Sequence, residues 1–193
     1  MKKIVPIVIV LLLVFWGISA NNGLVTKQEN VESSWSKVET QYQRRADLIP
    51  NLVNTVKGAA NFEQETLTAV IEARSKATSV QIDPSNITAE NMAAFQQAQS
   101  QVSSSLSRLL VTVEKYPELK ANSNFRDLSV QLEGTENRIA TERSRFNDEA
   151  RGYNTAVRKF PTSIMASILG FDRYPYFEAD KGSENAPAVD FGS

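Results

Sequence analysis

A chain of 193 residues with 21 basic and 22 acidic side chains, no histidine and no cysteine excludes a good deal of chemistry at once. Without imidazole there is no Ser-His-Asp triad, no His-ligated metal and no histidine general base; without thiol there is no disulfide framework, thiolate nucleophile, Cys-ligated zinc or lipid-modified cysteine. Setting Lys2 and Lys3 aside leaves 19 basic against 22 acidic side chains, a balance that favours neither nucleic acid nor an anionic membrane surface as partner.

The first element is the run from Ile4 to Ala20, almost wholly apolar and preceded by two lysines. As a helix it spans about 26 Å, close to the ~30 Å hydrocarbon thickness of a bilayer. Two readings compete for it. A charged start, an apolar stretch and small residues at Gly17, Ser19 and Ala20 also describe a cleavable secretory signal, which would release a soluble exported protein. The run is longer than the usual signal core, and Phe15 and Trp16 suit an interfacial anchor, so the reading adopted is a retained single-pass anchor. The lysines place its N-terminus in the cytoplasm and the remainder outside. Pro6 falls in the first turn, where its missing N–H breaks no intrahelical bond.

Next come Val31, Trp35, Val38, Tyr42, Ile49, Leu52 and Val56, a heptad seam interrupted only by Arg45. Pro50 lies inside it and predicts a break or bend near Asp47 to Pro50. The pattern resumes through Phe62, Leu67, Val70 and Ile71, with Gly58 a weak point. Asp83-Pro84 and Thr88 are caps for a further helix whose seam is Met92, Phe95, Val102, Leu106, Leu109 and Val113, with Gln99 in its one polar slot. That helix stops at Tyr116-Pro117. Asn122 to Asn124 cap a last long helix carrying Phe125, Leu128, Leu132, Thr135, Ile139, Glu142, Phe146 and Tyr153, which Pro161 ends. Ile164, Met165, Ile168 and Leu169 form a short amphipathic helix before Gly170. No segment alternates as a strand does. The fold class is therefore all-α: a transmembrane helix followed by an elongated antiparallel up-and-down bundle, its neighbours set by short links at 79–87 and 116–122. The expected division is an anchor over 1–23, a bundle over 24–179 and a disordered acidic tail over 180–193.

Few residues carry candidate chemistry. Ser34-Trp35-Ser36-Lys37 fits the Ser-x-x-Lys pattern, but no Ser-Asp-Asn or Lys-Thr-Gly companion follows and an ordinary helix surface explains it. Glu133, Glu136, Glu142, Asp148 and Glu149 are numerous, yet bundle di-iron sites pair glutamates with histidine, so solvated faces are the better reading and no metal or cofactor is expected. Arg45 occupies a core slot and needs a partner, for which Glu133, Glu136 or Glu142 of the last long helix is the simplest candidate, giving an interhelical ion pair that fixes register, with an anion or ligand site at the bend as the alternative.

Taken in order, Arg44-Arg45-Ala46-Asp47-Leu48-Ile49-Pro50-Asn51-Leu52-Val53, Tyr116-Pro117-Glu118-Leu119-Lys120-Ala121-Asn122, Leu132-Glu133-Gly134-Thr135-Glu136-Asn137-Arg138-Ile139-Ala140, Phe160-Pro161 and Tyr176-Phe177-Glu178-Ala179 resemble the bacterial LemA family. The resemblance covers about residues 1–179 and implies a membrane-anchored four-helix arrangement, counting the halves around Pro50 separately. It brings no reaction, cofactor or catalytic residue with it. The expectation is a non-catalytic scaffold or protein-interaction module of the cell envelope, single-pass in the bacterial inner membrane and facing the periplasm or exterior. Its partners are the membrane, through residues 4–20, and an envelope protein; Arg45, Pro50, Tyr116 and Glu136 are the structural candidates. Two alternatives stay open: the exported soluble protein, and an envelope enzyme using carboxylates or the Ser-Lys pair. Homo-oligomerisation through the anchor also stays open, although Gly17 alone supplies no small-x-x-x-small pair.

Overall fold

The computed structural model describes residues 4–58 and 62–178, and every regular element among them is helical. Lys2, Lys3 and the acidic tail lie outside the described residues. Helix α1 (Ile4–Lys57) is a single rod of 54 residues, about 80 Å long, with two unlike halves. Its apolar half is long enough to cross a membrane, and none of that stretch is buried. From Leu24 onward one face is buried, at Val31, Trp35, Val38, Tyr42, Arg45, Ile49, Leu52 and Val56.

Helices α2 (Gln64–Ser79) and α3 (Ala89–Val113) form a hairpin across a 3-10 turn at Pro84–Asn86. Asp83 caps that turn, and Thr88 opens α3 in a reciprocal capping box: its hydroxyl accepts from Asn91 N at 3.2 Å while Thr88 N donates to Asn91 Oδ1 at 2.8 Å. After α3 the chain restarts at α4 (Pro117–Ala121), with proline at its first position, as the Tyr116-Pro117 stop requires. Asn122 Oδ1 then accepts from Asn124 N at 2.9 Å and Phe125 N at 3.3 Å to begin α5 (Ser123–Arg158). Helix α6 (Thr162–Leu169) ends at Gly170, whose φ of 74° gives the left-handed turn that a side chain would strain.

The fold class is as expected; of the break or bend expected near Pro50, the break does not occur, since α1 runs through that proline as one helix. Proline there leaves the Ala46 carbonyl without its usual donor four residues on, and Arg74 Nε of α2 donates to that oxygen at 2.7 Å. The division falls instead after Lys57, beside Gly58, so the four bundle helices are α1, α2, α3 and α5 rather than the two halves around Pro50. Helix α1 packs antiparallel on α5, and α2 on α3. At the far end the core joins Leu52 and Val56 to Leu67, Leu109 and Phe125; at the leader end it joins Val31, Trp35 and Tyr42 to Met92, Phe95, Ile139, Phe146 and Tyr153. Each such side chain withdrawn from water stabilises the bundle by about 1.5–3 kcal/mol before ordering costs.

Candidate functional site

The seam of α1 that buries Trp35 and Ile49 also buries Arg45, which is only 2% exposed. Its Nη1 donates to Glu136 Oε1 at 2.7 Å and Ser103 Oγ at 2.8 Å; its Nη2 donates to Gln99 Oε1 at 2.6 Å and the Gln99 carbonyl at 3.2 Å. The guanidinium also lies 5.0 Å from the centre of the Tyr42 ring. One cation thereby ties α1 to α3 and α5. The pairing is asymmetric, because the Glu136 side chain remains 40% exposed. This cluster neutralises a buried charge.

The other carboxylates are dispersed. Glu142 meets Arg145 at 2.6 Å and Asp148 meets Arg151 at 3.0 Å, each pair on one helix, and Glu133 is exposed. Among the described residues no group of three or more His, Cys, Asp or Glu side chains is placed to hold a metal ion. Ser34 is buried and donates its hydroxyl to the Val31 carbonyl at 2.7 Å, while Lys37 is exposed. Tyr116 stands at the joint between α3 and α4, its ring 5.0 Å from that of Phe62.

The most constructed feature is one that periodicity could not reveal. Beyond α6, residues 171–178 run irregularly back along α5 as a strap. Two asparagines seven apart on α5 hold its backbone as a strand would. Asn154 donates Nδ2 to the Tyr174 carbonyl at 2.8 Å and accepts from Tyr174 N at 2.9 Å; Asn147 does the same for Phe177 at 3.0 and 2.8 Å. Arg143 Nη2 donates to the Glu178 carbonyl at 2.7 Å, and Glu178 N to Gln96 Oε1 at 3.2 Å. The strap delivers Phe177 onto Trp35, stacked at 5.8 Å and 12°, and edge-on to Phe146 at 5.4 Å. Tyr174 packs edge-on to Tyr153 at 5.2 Å and its hydroxyl donates to Glu32 Oε1 at 3.2 Å. Burial, then the charges of Asp172 and Glu32, push the Tyr153 hydroxyl up to about 12. Burial, the Glu32 charge and the hydrogen bond to Glu32 push Tyr174 up as well. Between the strap and the end of α5 lies an open cleft whose walls carry Arg158, Lys159 and Arg173. The signal of this assembly in the sequence was the Asn147/Asn154 spacing on the seam side of α5.

Comparison with known proteins adds relatives to that geometry. The family model described as the LemA family matches residues 34–191. The chain is 27% identical over 185 residues to the magnetosome protein MamQ of Magnetospirillum gryphiswaldense, covering 87% of this chain and 68% of that protein. It is 26% identical over 185 residues to the magnetosome protein MamQ 2 of Paramagnetospirillum magneticum, with the same coverage. It is also 24% identical over 164 residues to the protein LemA of Metamycoplasma hominis, covering 85% of this chain and 71% of that protein.

Proposed function

The chain belongs to the LemA family, and on that premise we propose that it is a membrane-tethered scaffold of the bacterial envelope, which keeps its leader and presents the bundle outside the cytoplasm to a protein partner. The observation that carries this reading is the change of character along one helix. Ile4 to Ile18 turn large apolar side chains outward, whereas Leu24 and Val31 of the same rod are buried. A bilayer around the first part and water around the second accounts for both. The helix passes unbroken from one to the other, so the tether holds the bundle at a fixed level instead of trailing it on a flexible linker. A scaffold also suits a chain without histidine or cysteine in which the one buried cation among the described residues is spent on an internal pair. Relatives named for the magnetosome and a relative named only LemA share this length of chain, which favours a common anchored architecture over one common reaction.

The natural absence of cysteine makes topology directly measurable. A membrane-impermeant maleimide should label Ser107→Cys, exposed on α3, in intact spheroplasts, and should label Lys3→Cys only after the membrane is opened. The opposite pattern would overturn the orientation. Photo-crosslinking from exposed positions of α2 and α3 in the membrane should capture a recurrent protein; adducts only to lipid and to the chain itself would end the scaffold reading.

A further inference from the structure

We infer that α6 is a second membrane element, lying in the hydrocarbon beside α1, so that the chain contacts lipid through residues 160–169 as well as through its leader. The inference rests on the proposed anchoring of α1 and extends it.

Composition gives the first argument. From Phe160 to Phe171 the sequence carries no charge, and α6 itself reads Thr-Ser-Ile-Met-Ala-Ser-Ile-Leu. Only Ala166 of that helix is buried. Phe160 is 78% exposed and Ile168 70%, with Ile164 and Leu169 also outward, so four large apolar side chains within ten residues face away from the core.

Position gives the second and decides what covers that surface. Met165 lies against Gly17, its Cε 3.7 Å from where a Cβ would stand. Met165 and Leu169 share one apolar groove with Val10, Leu13, Val14 and Ile18 of α1. From Val10 to Asn21, the limits of that groove, the rise is about 16 Å, roughly half of a ~30 Å hydrocarbon layer. Helix α6 therefore lies at the level of the outer half of the leader, and the medium that surrounds Val10 to Ile18 must surround α6 too. Acyl chains are the occupant continuous with the α1 surface.

Backbone bonding is compatible with that medium. Lipid offers no partners to N–H groups. Ser163 N donates to the Lys159 carbonyl at 2.9 Å, Ile164 N to Pro161 at 3.1 Å and Phe171 N to Ala166 at 3.0 Å, so the reversals at both ends of α6 are bonded internally. Exposed charges bracket the segment: Arg158 and Lys159 before it, Asp172 and Arg173 after it.

The test uses the full chain in phosphatidylcholine vesicles, with an environment-sensitive fluorophore on a single cysteine at Leu12, Ile168 or Ser107. All three side chains are exposed, and circular dichroism checks that each variant keeps its helices. Nitroxide carried on the acyl chains should quench probes at Leu12 and Ile168 and spare Ser107. Quenching at Leu12 with a water-like, unquenched probe at Ile168 would leave the anchor standing and overturn the second contact. A blue-shifted but unquenched probe at Ile168 would mean that protein covers α6, which also overturns it. No quenching at Leu12 would bring down the anchoring reading and this inference with it.

Discussion

At the scale of single residues, two polar groups stand out where the seams of α1 and α3 meet. Arg45 and Gln99 are the polar exceptions of two separate heptad patterns, and they find each other across the core. That Arg45 needed a carboxylate was legible from its slot; which glutamate answered depended on register, and Glu136 is the one that does. The exposure difference predicts an asymmetric mutational result. Glu136→Ala strands a buried cation and should cost about 2 kcal/mol or more in urea denaturation, whereas Arg45→Met leaves a carboxylate that can turn to water and should stay within about 1 kcal/mol. Equal losses for the two variants would contradict this account of the pair. Pro50 is the residue where a break was one of two expectations and the helix continues instead. The rule that proline breaks a helix assumes that the freed carbonyl has no other donor, and Arg74, 28 residues beyond Ala46, supplies one. Arg74→Met should therefore cost about 1–2 kcal/mol in the natural background and clearly less once Pro50→Ala restores the backbone donor, a coupling that a double-mutant cycle measures.

At the scale of elements, the helices were legible because each seam repeats every three or four residues between explicit stops: Thr88, Tyr116-Pro117, Asn122 and Pro161. The strap was not, because an irregular segment bonded through its backbone leaves no period to find; only Asn147 and Asn154, spaced by seven, mark its docking groove. Asn154→Ala removes both bonds to Tyr174 and should raise amide exchange at Tyr174 and Phe177 by at least tenfold while protection in α3 is unchanged; uniform loss of protection would mean that the strap is part of the global fold. Burial of the two tyrosines adds a pH signature. The folded state holds the Tyr153 proton up to about pH 12, whereas an unfolded tyrosine releases it near 10, so folded chains bind more protons in that window. Stability should be complete below pH 10 and fall as pH rises from there towards 12. Tyr174→Phe should flatten that fall in thermal melts, and an unchanged slope would refute the assignment. The short helix α6 shows another limit: its apolar face was plain in the sequence, but the lipid cover proposed for it rests on its seat against Gly17, which no sequence pattern gave.

For the whole molecule, the all-α class was readable from the missing strand patterns and the α2–α3 hairpin from the short link at 79–87, whereas the pairing of α1 with α5 joins elements far apart in the chain and followed from no short link. The division of the bundle was misplaced by one helix end, from Pro50 to the neighbourhood of Gly58, for the reason Arg74 provides. The account as a whole depends on α1 remaining in one piece, since the rod that carries the apolar leader also carries Trp35 and Arg45 into the core and offers Gly17 to α6. Intact mass of the chain recovered from alkali-washed membranes tests this most directly. Recovery of the uncut polypeptide of 21.4 kDa in the membrane pellet is the predicted result. A chain shortened by its first twenty or so residues and found in the soluble fraction would contradict it.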